Sequence, residues 1–362
     1  MAKLVLEDGT IIKGKHFGAK KNSSGEVVFS TAMTGYVESL TDPSYKGQIL
    51  VLTYPLVGNY GVPSQKFFQS EKIQVSGLVV SKHCLSPSHY QNQKTLHQWL
   101  LENNIPGISE VDTRALTQKI RQKGTMLGKI LVNKQEIDFY DPNKENIVEK
   151  VSLKFSKFFE NNSSTTVCLL DCGFKKAILD HLLRRKVNVL VAPWNSNPLI
   201  QTKTKIQGLV ISNGPGNPKT VKETITIVRQ AIAKKLPILG ICLGNQILAL
   251  AAGADTYKLK FGHRSVNQPV KNLKTNRCFI TSQNHGFAIN PSSLPKNWHQ
   301  WFVNLNDQTC EGIISADGQF MGVQFHPEGH PGPEDTAFVF DMFVEKVAAL
   351  LRLRRSGSSI QA

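Results

Sequence analysis

Between residues 166 and 252 the chain repeats one pattern: a short apolar run, a loop and an amphipathic helix. The runs are Thr166 to Leu170, Val187 to Ala192, Gly208 to Ile211 and Pro237 to Ile241, and helical spacing follows at about Lys176 to Arg185, Thr220 to Lys235 and Gln246 to Ala252. Apolar runs without polar alternation are strands buried on both faces, and a helix between successive runs makes them parallel. The pattern predicts a doubly wound, mainly parallel α/β sheet with helices on both sides. In such sheets ligands sit at the carboxyl ends of the strands, so chemistry is sought in the loops after these runs.

The first half is built differently. Met1 to Leu6 alternates like a strand and turns at Asp8-Gly9, which predicts a hairpin. Strand patterns follow at Glu26 to Phe29 and Gln48 to Leu52, and helical patterns at about Gln93 to Asn103 and Asp112 to Gln122, the second opening on a capping aspartate. These elements make a mixed α/β domain. A polar, turn-rich stretch from Asp141 to Ser164 has linker composition. The expected organisation is a mixed domain over 1–150, a linker over 151–165, the doubly wound domain over 166–351, and a disordered basic and Ser/Gly-rich tail over 352–362. A length of 362 residues favours two cores on its own.

Composition removes several function classes. The chain has 43 basic and 27 acidic residues, but the basic ones fall in short groups without interleaved aromatics or a recognisable motif, so no nucleic-acid partner is expected. No apolar run reaches the roughly 18–20 residues of a membrane span, so no membrane association is expected. The chain starts strand-like, so no signal or transit peptide is expected. Six cysteines lack the spacing of a disulfide framework, which points to a reducing compartment. Cys168 and Cys172, with three residues between them at an apolar run, read as buried thiols, so no metal is expected. The excess of Lys and Asn resembles the product of an AT-rich genome, such as a plastid's; plastid stroma and bacterial cytoplasm are the compatible locations.

Three motifs fall where the sheet should present a site. Gly240-Ile241-Cys242-Leu243-Gly244 has the nucleophile-elbow form, with small residues two positions either side of a cysteine at a strand-to-helix turn. The helix N-terminus favours the thiolate that attacks. A cysteine nucleophile needs a proton shuttle and an orienting group, and His326 closes a strand pattern with Glu328 two residues on. The loop Ser212 to Pro218 follows another run, and Gly214 and Gly216 free backbone N–H groups to face an oxyanion.

Together, Gly240-Ile241-Cys242-Leu243-Gly244-Asn245-Gln246, His326-Pro327-Glu328 and Asn213-Gly214-Pro215-Gly216 resemble the class I (triad) glutamine amidotransferases. That resemblance implies a Cys242 nucleophile, a His326 shuttle oriented by Glu328, an oxyanion hole near Gly216 and Leu243, and glutamine contacts from Gly214 and Gln246. Ser282-Gln283-Asn284-His285-Gly286-Phe287 resembles the family's substrate loop and implies contacts from Asn284, Gly286 and Phe287.

In the first half, Thr31 to Tyr36, Thr41-Asp42-Pro43-Ser44-Tyr45, Leu52 to Pro55, Gly58 to Gly61 and Asp112-Thr113-Arg114 resemble the carbamoyl-phosphate synthase small-chain family, which implies that Ser44 reaches glutamine. It also implies a large-chain partner in a heterodimer, which would use ATP, Mg and bicarbonate; this chain lacks a Walker-type loop and should need no cofactor. Arginine and pyrimidine synthesis would consume the product. Asn245, Asn217 and His330 depart from the commonest pattern, where histidine, aspartate and serine are usual. Certain members have lost the nucleophile and depend on free ammonia, so the intact Cys242 implies glutaminase activity. Two alternatives are the glutaminase of another amidotransferase and a catalytically silent binding subunit.

Overall fold

The structure, a computed structural model, describes residues 1–200 and 204–355. The chain forms two compact units: Met1–Ile147 with Leu259–Val266 and His330–Gly332, and Val148–Lys258 with Asn267–Gly329 and Pro333 onward.

The first unit is a closed seven-stranded barrel. Around it run Ala2–Leu6, Ile11–Gly18, Pro106–Ser109, Gly77–His83, Gln48–Val57, Ser23–Ser30 and Met126–Leu131, and the last pairs with the first. The hairpin expected at Asp8-Gly9 sets Leu4 opposite Ile12. Closure leaves no exposed sheet edge. Alternation sorts the side chains into two cores, with Val27, Ile49 and Val51 in one and Val28, Leu50 and Leu52 in the other. Helix Thr113–Lys123 adds Leu116 and Ile120 to the former, and Asp112 caps it by accepting the Ala115 N–H at 2.9 Å.

The second unit is a ten-stranded sheet. Its central strands Asn188–Pro193, Thr166–Asp171, Gly208–Ile211, Ile238–Ile241 and Phe320–Val323 are parallel. Beyond Phe320–Val323 the sheet turns antiparallel through Cys310–Ser315 and Trp298–Asn304, an extension the repeat over 166–252 does not announce. Cys168, Leu170, Leu209, Ile211 and Ile238 pack under helices Lys222–Ala233 and Leu243–Ala252. Val167, Leu169, Val210, Leu239 and Ile241 pack under Lys176–Arg184 and Phe338–Arg355. Cys168 and Cys172 are fully buried, and burial pushes both thiols up, so they serve as small apolar side chains.

Three parts of the expected organisation need correction. The stretch 151–165 is no free linker: Lys157–Phe159 pairs antiparallel with Asn188–Pro193 as an edge strand, and the Leu153 N–H donates to Asp171 Oδ2 at 2.7 Å. Three residues are too few to show a period, and an edge strand tolerates the polar composition that reads as loop. Residues 259–266 and 330–332 group with the barrel, so the second unit is not contiguous. The C-terminal helix continues to Arg355, past the expected tail start at 352; residues 356–362 lie outside the described residues. Among the described residues no helix is long and apolar enough to cross a membrane.

Candidate active site

Strand Ile238–Ile241 ends one residue before Cys242, and helix Leu243–Ala252 starts one residue after it. The helix begins three residues earlier than its apolar spacing predicts, because Gly244 and Asn245 are weak helix formers that packing overrides. Cys242 has φ 54° and ψ −105°, a strained conformation for a residue with a Cβ. Its N–H donates to Val323 O at 2.8 Å, pinning the elbow to the neighbouring strand. The flanking glycine is required by space: a Cβ on Gly244 would lie 2.1 Å from Ile211 O. The Gly-Pro loop is equally tight, since a Cβ on Gly214 would lie 2.0 Å from Cys172 O and 2.9 Å from Leu243 Cδ2. Gly214 and Leu243 are therefore neighbours at this sheet edge. The Leu243 N–H, the first of its helix, has no intrahelical acceptor and can serve an oxyanion.

His326 lies three residues past Phe320–Val323, where its N–H donates to Ser282 O at 2.8 Å. Its Nδ1 is 2.7 Å from Glu328 Oε1. Lys175 Nζ is 3.0 Å from the same carboxylate oxygen and also donates to Gly329 O. All three side chains are buried. Burial alone would depress the imidazolium, but the Glu328 carboxylate outweighs it and holds His326 above its ordinary range. Burial would raise Glu328, yet Lys175 and His326 hold it below the usual carboxylate range. With Nδ1 committed to Glu328, the other ring nitrogen, Nε2, is buried and has no oxygen or nitrogen partner among the described residues, and the Cys242 side chain interacts with the ring and adds to holding His326 above its ordinary range. Two buried cations against one anion leave a net positive charge, which a Cys242 thiolate would balance.

Part of the set assigned to substrate lies beside the sulfur within the second unit. Cys242 Sγ is 3.6 Å from Asn284 O, and Gln246 Nε2 donates to Phe287 O at 2.8 Å. Asn284, Gly286 and Phe287 share strand Cys278–Asn290, and Gly216, with φ 86°, ends the Gly-Pro turn. Ser44 belongs to the barrel unit, in a short turn where its N–H donates to Asp42 Oδ1 at 2.9 Å. Sequence reasoning missed Lys175 and Gln324. The pair Lys175-Lys176 after Asp171-Cys172-Gly173-Phe174 reads as solvated, and its position after a strand of the same sheet edge was the available signal.

Comparison with known proteins places this geometry. The family described as carbamoyl-phosphate synthase small chain, CPSase domain, matches residues 4–130, and glutamine amidotransferase class-I matches residues 168–346. The carbamoyl phosphate synthase small chain of Archaeoglobus fulgidus is 46% identical over 352 residues, covering 95% of this chain and 98% of that one. The multifunctional protein CAD of Squalus acanthias is 47% identical over 358 residues, which cover 95% of this chain and only 16% of that protein. The human mitochondrial carbamoyl-phosphate synthase [ammonia] is 45% identical over 353 residues, 94% of this chain and 23% of that protein. By identity and by coverage from end to end of its archaeal relative, the chain belongs to the carbamoyl-phosphate synthase small-chain family, with a class I glutamine amidotransferase domain as its second part.

Proposed function

We propose that the chain hydrolyses L-glutamine at Cys242 and passes the ammonia to a carbamoyl-phosphate synthase large chain. The observation that carries this reading is the convergence of a strained elbow cysteine, a buried histidine whose ring interacts with it, and the Glu328–Lys175 pair behind that ring. Family membership alone would leave the nitrogen source open, since one relative's name specifies ammonia.

The chemistry follows from the charge states. The Cys242 thiolate attacks the glutamine carboxamide carbon, the carbonyl π electrons move to oxygen, and N–H groups near Leu243 and Gly216 stabilise that oxyanion. As the intermediate collapses, the C–N bond breaks, His326 Nε2 gives its proton to nitrogen, and ammonia leaves a glutamyl thioester. His326, now neutral, takes a proton from water. The hydroxide adds to the thioester, the C–S bond breaks, and glutamate departs while the thiolate returns. Glu328 keeps Nδ1–H bound throughout and favours the imidazolium. Gln246, Asn284, Gly286 and Phe287 are proposed to grip glutamine.

The large chain is proposed to supply ATP and Mg chemistry on bicarbonate in a heterodimer, for arginine and pyrimidine synthesis, in a plastid or bacterial cytoplasm. The test is glutamate release by the purified chain with and without a large chain. Stimulation by the partner is expected; release indifferent to it would keep the glutaminase and remove the partnership.

The buried pair also sets a stability profile. Glu328, held below its ordinary value of 4.5, stabilises the fold above that value and loses its contribution as pH falls through its lowered folded value. His326, held above its ordinary 6.5, stabilises below that value and loses its contribution as pH rises through its raised folded value. This pair's contribution should peak between 4.5 and 6.5. Urea unfolding of wild type and Glu328→Gln across pH checks it: the difference between them should shrink toward acid, and a pH-independent difference would contradict it.

A further inference from the structure

Gln324 follows strand Phe320–Val323 directly, two residues before His326, and is fully buried. Its side-chain oxygen accepts from Gln246 Nε2 at 3.1 Å and from Asn245 Nδ2 at 3.4 Å, and its nitrogen lies 3.7 Å from Cys242 Sγ. Amide oxygen and nitrogen are usually assigned from their surroundings, and here one end of the network is unambiguous. Phe287 O is a backbone carbonyl and can only accept, so Gln246 must turn its amino group toward it, at 2.8 Å. The second N–H of that amino group goes to Gln324, which must present oxygen there. The end of Gln324 facing the sulfur is therefore its NH2. Asn245 adds a second donor to the same oxygen, while its own Oδ1 is buried without a partner among the described residues.

The sulfur thus sits between opposites. On one side Asn284 O is an acceptor, suited to a thiol S–H; on the other the Gln324 NH2 is a donor, suited to a thiolate. Once Cys242 ionises, the first contact turns repulsive and the second becomes charge-assisted. We infer that Gln324 is a positioning residue for the glutaminase: its amide N–H holds the Cys242 sulfur anion, and its oxygen ties that sulfur to Gln246, which grips the substrate. The inference deepens the proposed function and rests on it for its catalytic meaning, whereas the contact to sulfur can be tested without glutamine.

The test compares the full chain with Gln324→Met, which removes both polar ends without adding charge, and Gln324→Glu, which keeps shape and the acceptor toward Gln246 but sets a carboxylate against the sulfur. Iodoacetamide alkylation of Cys242 in the absence of glutamine reads the sulfur anion, and glutamate-release kinetics read the rest. At neutral pH, Gln324→Met should slow alkylation about tenfold, the loss of one hydrogen bond to a charged group, and move its pH profile upward; Gln324→Glu should slow it further, because its carboxylate repels the sulfur anion. The rate constant kcat should fall with it. Gln324→Met should raise KM as well, because Gln246 loses its support. If Gln324→Glu does not fold, Gln324→Met alone must show the alkylation defect. A folded variant that alkylates at the wild-type rate with an unshifted pH profile overturns the inference. Slowed alkylation in a chain whose wild type releases no glutamate would support the sulfur contact and defeat the glutaminase reading instead.

Discussion

Cys242→Ser should lower glutamate release from glutamine by about 10³-fold or more, while leaving glutamine binding and the thermal transition near wild type. The replaced atom is nearly isosteric, so the elbow with its φ of 54° and the close approach of Gly244 to Ile211 persist. What changes is the nucleophile: a serine hydroxyl stays protonated where a thiol can lose its proton to attack the carboxamide carbon. Binding by calorimetry separates this loss from a loss of fold. A serine variant that hydrolyses glutamine at the wild-type rate would remove Cys242 from the chemistry.

The second large effect is on stability. Lys175→Met should lower the unfolding free energy by about 3 kcal/mol, the low end of the cost of removing one partner of a buried ion pair, because Glu328 keeps His326 at 2.7 Å. Lys175 is 1% exposed and Glu328 0%, so water cannot replace the missing ammonium. Adding Glu328→Gln should cost less than that substitution costs alone, because no buried Lys175 ammonium is then left without its carboxylate; non-additivity in urea unfolding is the signature. A single-variant cost below about 1 kcal/mol would place the pair in the range of hydrated surface bridges and contradict its assigned burial.

How far residues reveal such a site depends on where their partners come from. Cys242 and the Gly240 to Gly244 frame are legible because the elbow's needs are local: a strand end, a tight turn and a helix start, all within a few residues. His326 and Glu328 are legible because a two-residue spacing after a strand keeps them together, and the 2.7 Å contact follows from it. Lys175 comes from a loop 153 residues away from Glu328 in sequence, and Gln324 looks like any interior strand residue until Gln246 and Cys242 fold against it. Their roles exist only in tertiary contact. The fold divides the same way. The parallel core shows in its apolar runs, while barrel closure depends on Met126–Leu131 meeting Ala2–Leu6, a pairing of distant segments that alternation alone leaves undetermined. The edge strand Lys157–Phe159 is hidden by its shortness.

The central claim is a covalent one, and trapping the intermediate tests it most directly. Acid quenching of the chain during turnover of isotopically labelled glutamine, followed by peptide mass spectrometry, should find one glutamyl group as a thioester on the peptide carrying Cys242, and none in Cys242→Ser. Label on another residue, or steady glutamate release with no label on Cys242 at any quench time, would contradict the account.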